Sequence, residues 1–213
     1  MKRIIILASI VLLIGFLGTA SADIVGNDII DRSMLDGATD IAFIDPTLAF
    51  PTDGSLVSFS AWLTIQAGDP FFFQVYRYSG TPNSYNLVFQ QNYSFSYSAD
   101  MAFFNLSLST SFNILAGDIL GWWFGSGGGV IPYDVMGTDD VEWTNYLSAP
   151  ITYPVVGYTY SFDTASWARS SQKREYSIAA EYTPAQVPDP FTIILLSSGL
   201  IGLAGLRKKY NKQ

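Results

Sequence analysis

The stretch Val57-Ser58-Phe59-Ser60-Ala61-Trp62-Leu63-Thr64-Ile65-Gln66 alternates apolar and mostly polar side chains at every second position. That is the period of a β-strand with one buried face, because successive Cβ atoms point to opposite sides of a sheet. Val57, Phe59, Ala61, Leu63 and Ile65 are therefore expected to face a core, with Ser58, Ser60, Trp62, Thr64 and Gln66 turned away from it. The same period recurs outward from this segment. Ala102, Phe104, Leu106 and Leu108 alternate with Phe103, Asn105, Ser107 and Ser109, and Tyr176, Ile178, Ala180 and Tyr182 repeat it near the end of the body. Aromatic and β-branched runs occupy 71–78, 86–93, 118–124 and 156–162. Ala67-Gly68-Asp69-Pro70, Ser79-Gly80-Thr81-Pro82-Asn83 and Ala116-Gly117-Asp118 punctuate them as turns. No interior stretch sustains a helical apolar period. Roughly eight short strands at this spacing predict an all-β fold, an antiparallel two-sheet β-sandwich of jelly-roll-like form over residues 23–186.

The chain's charge is unevenly placed. Residues 23–190 hold all 18 acidic side chains against five basic ones, Arg32, Arg77, Arg169, Lys173 and Arg174, a net of −13 within a chain of total charge −7. So anionic a body repels nucleic acid and anionic headgroups, and no nucleic-acid partner is expected. Histidine and cysteine are absent from all 213 residues, which excludes His- or Cys-based dyads and triads, thiolate or imidazole metal sites, and disulfides.

Apolar residues concentrate at the ends. Lys2 and Arg3 precede a 14-residue apolar run, 4–17, and Gly18-Thr19-Ala20-Ser21-Ala22 follows it. This is the pattern of a secretory signal peptide over residues 1–22, with Ala20 and Ala22 as the small residues read by signal peptidase and Asp23 as the first residue of the exported chain. At the other end residues 191–206 carry no charge over 16 positions and would form a single transmembrane helix of about 24 Å, a marginal span. Arg207, Lys208 and Lys209 follow in a basic tail, 207–213, which would stop transfer and keep the tail in the cytoplasm.

Val187-Pro188-Asp189-Pro190 stands just before that helix. Pro188 fixes its own φ and Pro190 drives Asp189 out of the α region, so the tetrapeptide is extended, the form processing enzymes bind. The order of this motif, the Leu/Gly-rich segment and the basic terminus over 187–213 resembles the PEP-CTERM sorting signal of Gram-negative bacteria that make exopolysaccharide. Asp189 stands where that family usually has Glu, keeping the charge on a side chain one methylene shorter. The resemblance implies processing by a membrane-embedded exosortase, removal of the helix, and release of the body to the cell surface or extracellular matrix, with exopolysaccharide as a partner there. The alternative is a permanently anchored single-pass membrane protein in which Pro-Asp-Pro is a spacer.

The glycine-rich passage Gly127-Gly128-Gly129-Val130-Ile131-Pro132-Tyr133-Asp134 after Ile119-Leu120-Gly121-Trp122-Trp123 looks like jelly-roll domains of exported proteins. No helix or lysine follows its glycines to cradle a phosphate, and a β-hairpin connection is expected. Without His or Cys, hydrolysis would rest on a carboxylate pair of glycoside hydrolase type, for which Asp134, Asp139, Asp140 and Glu142 are the candidates. A solvated acidic loop explains the same residues, and a non-enzymatic role is expected. Asp36, Asp40 and Asp45 add oxygen ligands suited to Ca²⁺ without EF-hand or RTX spacing, so no cofactor is expected and calcium is the one ion to consider. Trp62, Trp122 and Trp143 are candidate sugar-stacking residues, against the alternative that one of Trp122 and Trp123 lies in the core.

Overall fold

The computed structural model describes residues 21–35, 39–63, 70–93, 102–125, 131–135, 147–162 and 174–185. The segments assigned above to the signal peptide, the transmembrane helix and its basic tail lie outside these residues. Among the described residues the chain forms thirteen strands: β1 (Asp23–Gly26), β2 (Met34–Leu35), β3 (Ile41–Ala49), β4 (Gly54–Leu63), β5 (Phe71–Tyr78), β6 (Ser84–Tyr93), β7 (Ala102–Ile114), β8 (Ile119–Phe124), β9 (Pro132–Val135), β10 (Leu147–Pro150), β11 (Thr159–Ser161), β12 (Arg174–Tyr176) and β13 (Ile178–Pro184). The fold is all-β, and every strand pair is antiparallel.

Three sheets result, in the orders β1-β13-β4-β7, β10-β3-β8-β5-β6-β11 and β12-β9-β2. The four- and six-stranded sheets face each other through an aromatic core. Phe59 of β4 stacks on Phe73 of β5 with ring centroids 4.8 Å apart, and Tyr182 of β13 meets Phe50 edge-on at 5.2 Å. Tyr176 of β12 packs on Trp122 and Phe43 of the six-stranded sheet at 4.9 and 5.9 Å. Such pairs contribute about 0.5–1.5 kcal/mol each beyond the area they bury. The small sheet continues the larger one: Ser177 joins β12 to β13, donating its N–H to the Pro132 carbonyl and accepting from the Trp62 N–H.

The alternation of β4 holds at Phe59, Ala61 and Leu63, which are all buried, and fails at Val57. The register shifts against both neighbours at Val57: it is the extra residue against β13, where Leu56 pairs with Tyr182 and Ser58 with Glu181, and it lies opposite residues 108–111 of β7, where Leu56 pairs with Phe112 and Ser58 with Ser107. Leu56 therefore enters the core and Val57 is left 38% exposed, reversing the expectation for that end of the strand.

The expected hairpin around the glycine-rich passage is also corrected. β8 runs through the middle of the six-stranded sheet between β3 and β5, whereas β9 pairs with β2 and β12. β8 and β9 thus belong to different sheets, and residues 127–130 between them lie outside the described residues. Every residue of β8 is buried because both its faces are covered. Leu120, Trp122 and Phe124 face the other sheet; Ile119 and Trp123 face outward beneath Ile151 and Phe162 of the 147–162 segment. Gly121 is required here, since a Cβ would lie 2.7 Å from the Phe43 carbonyl and 2.8 Å from the Tyr76 ring. Both tryptophans of the pair are core residues, where the sequence pointed to one.

Candidate functional site

Val187, Pro188, Asp189, Pro190, Arg207, Lys208, Lys209 and Ala20 lie outside the described residues, as do Trp143, Asp36, Asp139, Asp140 and Glu142. Ala22 is exposed, directly before the first residue of β1. Asp23 pairs with Tyr182, so the terminus expected after signal-peptide removal begins a strand of the sheet.

Of the candidate tryptophans, Trp122 is 1% exposed and enclosed by Phe43 and Tyr176, so its ring faces meet protein and are closed to a sugar. Trp62 is half-buried on the outer face of the four-stranded sheet, directly across from Phe103, which is 53% exposed. Ser60 and Asn105 form the next cross-strand pair, joined by a 3.0 Å bond from Asn105 Nδ2 to Ser60 Oγ, and Ser58 Oγ donates to Glu181 Oε2 at 3.0 Å. The outward surface is thus an aromatic step beside the Ser60–Asn105 hydroxyl and amide pair, Ser58 itself being buried. Neither indole N–H has a hydrogen-bond partner among the described residues.

A second outward surface was not legible as a unit. Tyr78, Tyr85 and Tyr160 are register neighbours across β5, β6 and β11, with Tyr78 and Tyr85 in edge contact at 5.8 Å. Alongside runs the 147–162 segment, whose Tyr153, Val155, Val156 and Tyr158 are exposed. It is held firmly from below. Trp123 Nε1 donates to the Ile151 carbonyl at 2.7 Å, Gln90 Nε2 to that of Pro154 at 3.4 Å, and the N–H of Leu87 to that of Tyr158 at 3.0 Å. A buried relay supports Gln90: Tyr76 Oη donates to Gln74 Oε1, and Gln74 Nε2 to Gln90 Oε1. The turn Ser79–Asn83 in the sequence would have placed Tyr78 across from Tyr85, but the three-residue β11 carries no comparable periodic signal.

Several charged groups are committed to structure. Arg32 is buried and donates from Nε to Ser177 Oγ at 2.8 Å, from Nη1 to Asp134 Oδ2 at 3.3 Å, and from Nη2 to Glu175 Oε1 at 2.8 Å and the Asp28 carbonyl at 3.2 Å. Asp134 and Glu175 face each other in register across β9 and β12. Asp134 was a candidate for hydrolysis; Ser33 donates to its Oδ1 from both N–H and hydroxyl at 3.1 Å. The Ser33 N–H first, then its hydroxyl and the nearby guanidinium, hold the Asp134 carboxyl below its ordinary range despite partial desolvation. A general acid needs the opposite shift. Asp45 closes a turn at a bulge of β3, its Oδ1 accepting from Thr47 N–H and Oγ1 at 2.9 and 2.6 Å. Among the described residues no group of three or more metal-ligating side chains occurs.

The depressed Asp134 carboxyl has a definite pH signature. Its folded-state pKa is below the unfolded one, so its contribution is fully present above about 3.8 and is lost as pH falls from that value through the folded pKa. Thermal midpoints of wild type and Asp134→Asn should differ at pH 5 and converge toward pH 2. A gap that stays constant over that range would show that the carboxylate's charge does not contribute.

Among the described residues no helix is long and apolar enough to cross a membrane. In comparison with known proteins, no family model, curated protein or solved structure matches the chain.

Proposed function

We propose that this chain is an exported, non-enzymatic β-sandwich protein that is sorted to the cell surface or secreted by an exosortase and serves as an extracellular matrix or envelope component with the capacity to contact glycans. The observation that carries the reading is the fixed order at the C-terminus: Val187-Pro188-Asp189-Pro190, a 16-residue uncharged segment, then Arg207-Lys208-Lys209. The placement of the strands supports it. β1 starts at Asp23 and β13 ends at Pro184, so removal of residues 1–22 and of the chain beyond 190 would sever no strand among the described residues.

The body suits a jelly-roll-like module. Taken in chain order, β1, β3, β4, β5, β6, β7, β8 and β13 fall first-eighth-third-sixth in one sheet and second-seventh-fourth-fifth in the other, the order of two interleaved Greek keys. Such folds host lectins, enzymes and inert modules alike, so the glycan-contact part of the reading rests on the outward aromatic groups, Trp62 with Phe103 and the tyrosines around Tyr78 and Tyr158. Signal peptidase and exosortase are the processing partners in this reading, and the inner membrane holds the precursor through residues 191–206.

The test is processing. Replacing Pro188 and Pro190 with Ala leaves the uncharged segment and basic tail intact, so insertion persists while the extended recognition element is lost. The full-length precursor should accumulate in the membrane, heavier than the wild-type surface form, which lacks residues 191–213. Equal masses for the two, with the basic tail still attached in both, would make the C-terminus an anchor and refute the sorting reading.

A further inference from the structure

Among the described residues β7 stands at one edge of the four-stranded sheet, paired with β4 and with nothing on its other side. It is 13 residues long, reads AFFNLSLSTSFNI, and contains neither a charged residue nor a proline. An edge strand exposes a row of backbone N–H and C=O groups, and proteins ordinarily blunt it by shortness, charge, proline or bulges. The other edges of the two large sheets follow that rule: β1 and β10 have four residues each and β11 has three, with Pro150 ending β10. β7 uses one device alone. Residues 108–111 bulge between Ser107 and Phe112, opposite Val57, which leaves Ala102–Ser107 as a straight, uncharged run of six residues.

We propose that this edge is a self-association surface, on which Phe103–Ser107 pairs antiparallel with the same segment of a second copy about a two-fold axis at Asn105. The segment's own pattern selects a second copy: it matches itself in antiparallel register and carries no charge, so pairing there opposes no like charges even though the net charge of −13 between residues 23 and 190 works against association. On the outer face the Glu181 carboxylate lies two strands in from β7, about 10 Å by strand spacing, and is bonded to Ser58.

The side chains match themselves in this register. Centring on Asn105 sets Phe104 of one copy against Leu106 of the other on the inner side, and both are half-buried hydrophobic residues packed on the core that an added strand would cover further. On the outer side Phe103 meets Ser107 and Asn105 meets Asn105, with no like charges opposed. About six backbone hydrogen bonds would join the copies and merge two four-stranded sheets into one of eight. The contact is isologous and closes as a dimer. It goes beyond the sorting reading and does not depend on it.

The chain's lack of cysteine makes the test specific. In the full-length chain, purified in a mild detergent, Asn105→Cys places two thiols directly opposite each other in the dimer, within disulfide reach. Thr81→Cys, at an exposed turn away from β7, serves as the control. Mild oxidation should convert most of the Asn105→Cys chain to a covalent dimer and leave Thr81→Cys monomeric, whereas random collision or association through residues 191–206 would cross-link both alike. Asn105→Lys, which opposes two charges at the axis, should weaken self-association at least tenfold in sedimentation equilibrium. Equal cross-linking of the two cysteine variants, or wild-type monomer throughout the micromolar range, or a dimer unaffected by Asn105→Lys, would each overturn the proposal.

Discussion

Arg77→Ala is expected to destabilise the body by about 2–3 kcal/mol, the cost of taking a partly exposed partner from a carboxylate that stays buried. Asp118, 1% exposed, accepts from Arg77 Nε at its Oδ1 and from Nη2 at its Oδ2, both at 2.7 Å. Its Oδ2 also accepts from the Leu115 N–H at 2.9 Å, which tightens the Leu115-Ala116-Gly117-Asp118 turn where Gly117 takes a φ of +86°. Truncation would leave a carboxylate enclosed at the entrance to β8 with one donor remaining. The denaturant midpoint should fall at an unchanged slope. The double variant Arg77→Met with Asp118→Asn keeps an acceptor for Leu115 and removes both charges, so it should recover much of the loss. A loss below about 1 kcal/mol for Arg77→Ala would mean that water replaces the guanidinium.

Leu56→Ala should cost about 2–5 kcal/mol, while Val57→Ala should change stability by no more than about 0.5 kcal/mol. The two residues are adjacent, both aliphatic, and on the same strand; what separates them is the bulge. Leu56 is fully buried between the sheets, while Val57 sits where the register shifts, skipped by β13 and opposite the bulged residues 108–111 of β7. Chemical denaturation of the two variants reads the difference directly. Comparable losses at both positions, or a larger loss at Val57, would mean that β4 keeps a strict two-residue alternation through position 57 and that the bulge is absent in solution.

That pair marks the boundary between local and distant information. Alternation is a property of neighbouring residues, so Phe59, Ala61, Leu63, Ile178, Ala180 and Tyr182 could be placed in a core from the chain alone, and Phe71–Tyr78 emerged with its own strand limits. The all-β class followed from the same signal. A bulge is different, because it is set by how two strands on either side register against a third, and its partners here lie at Glu181 and Ser107. Covering both faces of β8 likewise needs residues 147–162 to cross the sheet, which is why Trp122 and Trp123 are both core although they point in opposite directions.

The charged centre was illegible for the same reason. Arg32 reaches Ser177 across 145 positions and Asp134 across 102, and nothing near Arg32 in the chain announces either partner. Composition and the two terminal patterns, by contrast, are properties of the linear sequence, so the absence of His and Cys side chains and the expectation of export come from the chain itself. Which aromatic rings face outward, and that β7 has an uncharged free edge among the described residues, depend on sheet order. Sheet order is decided by contacts between segments far apart in sequence, whose closure entropy is offset only when the whole core assembles.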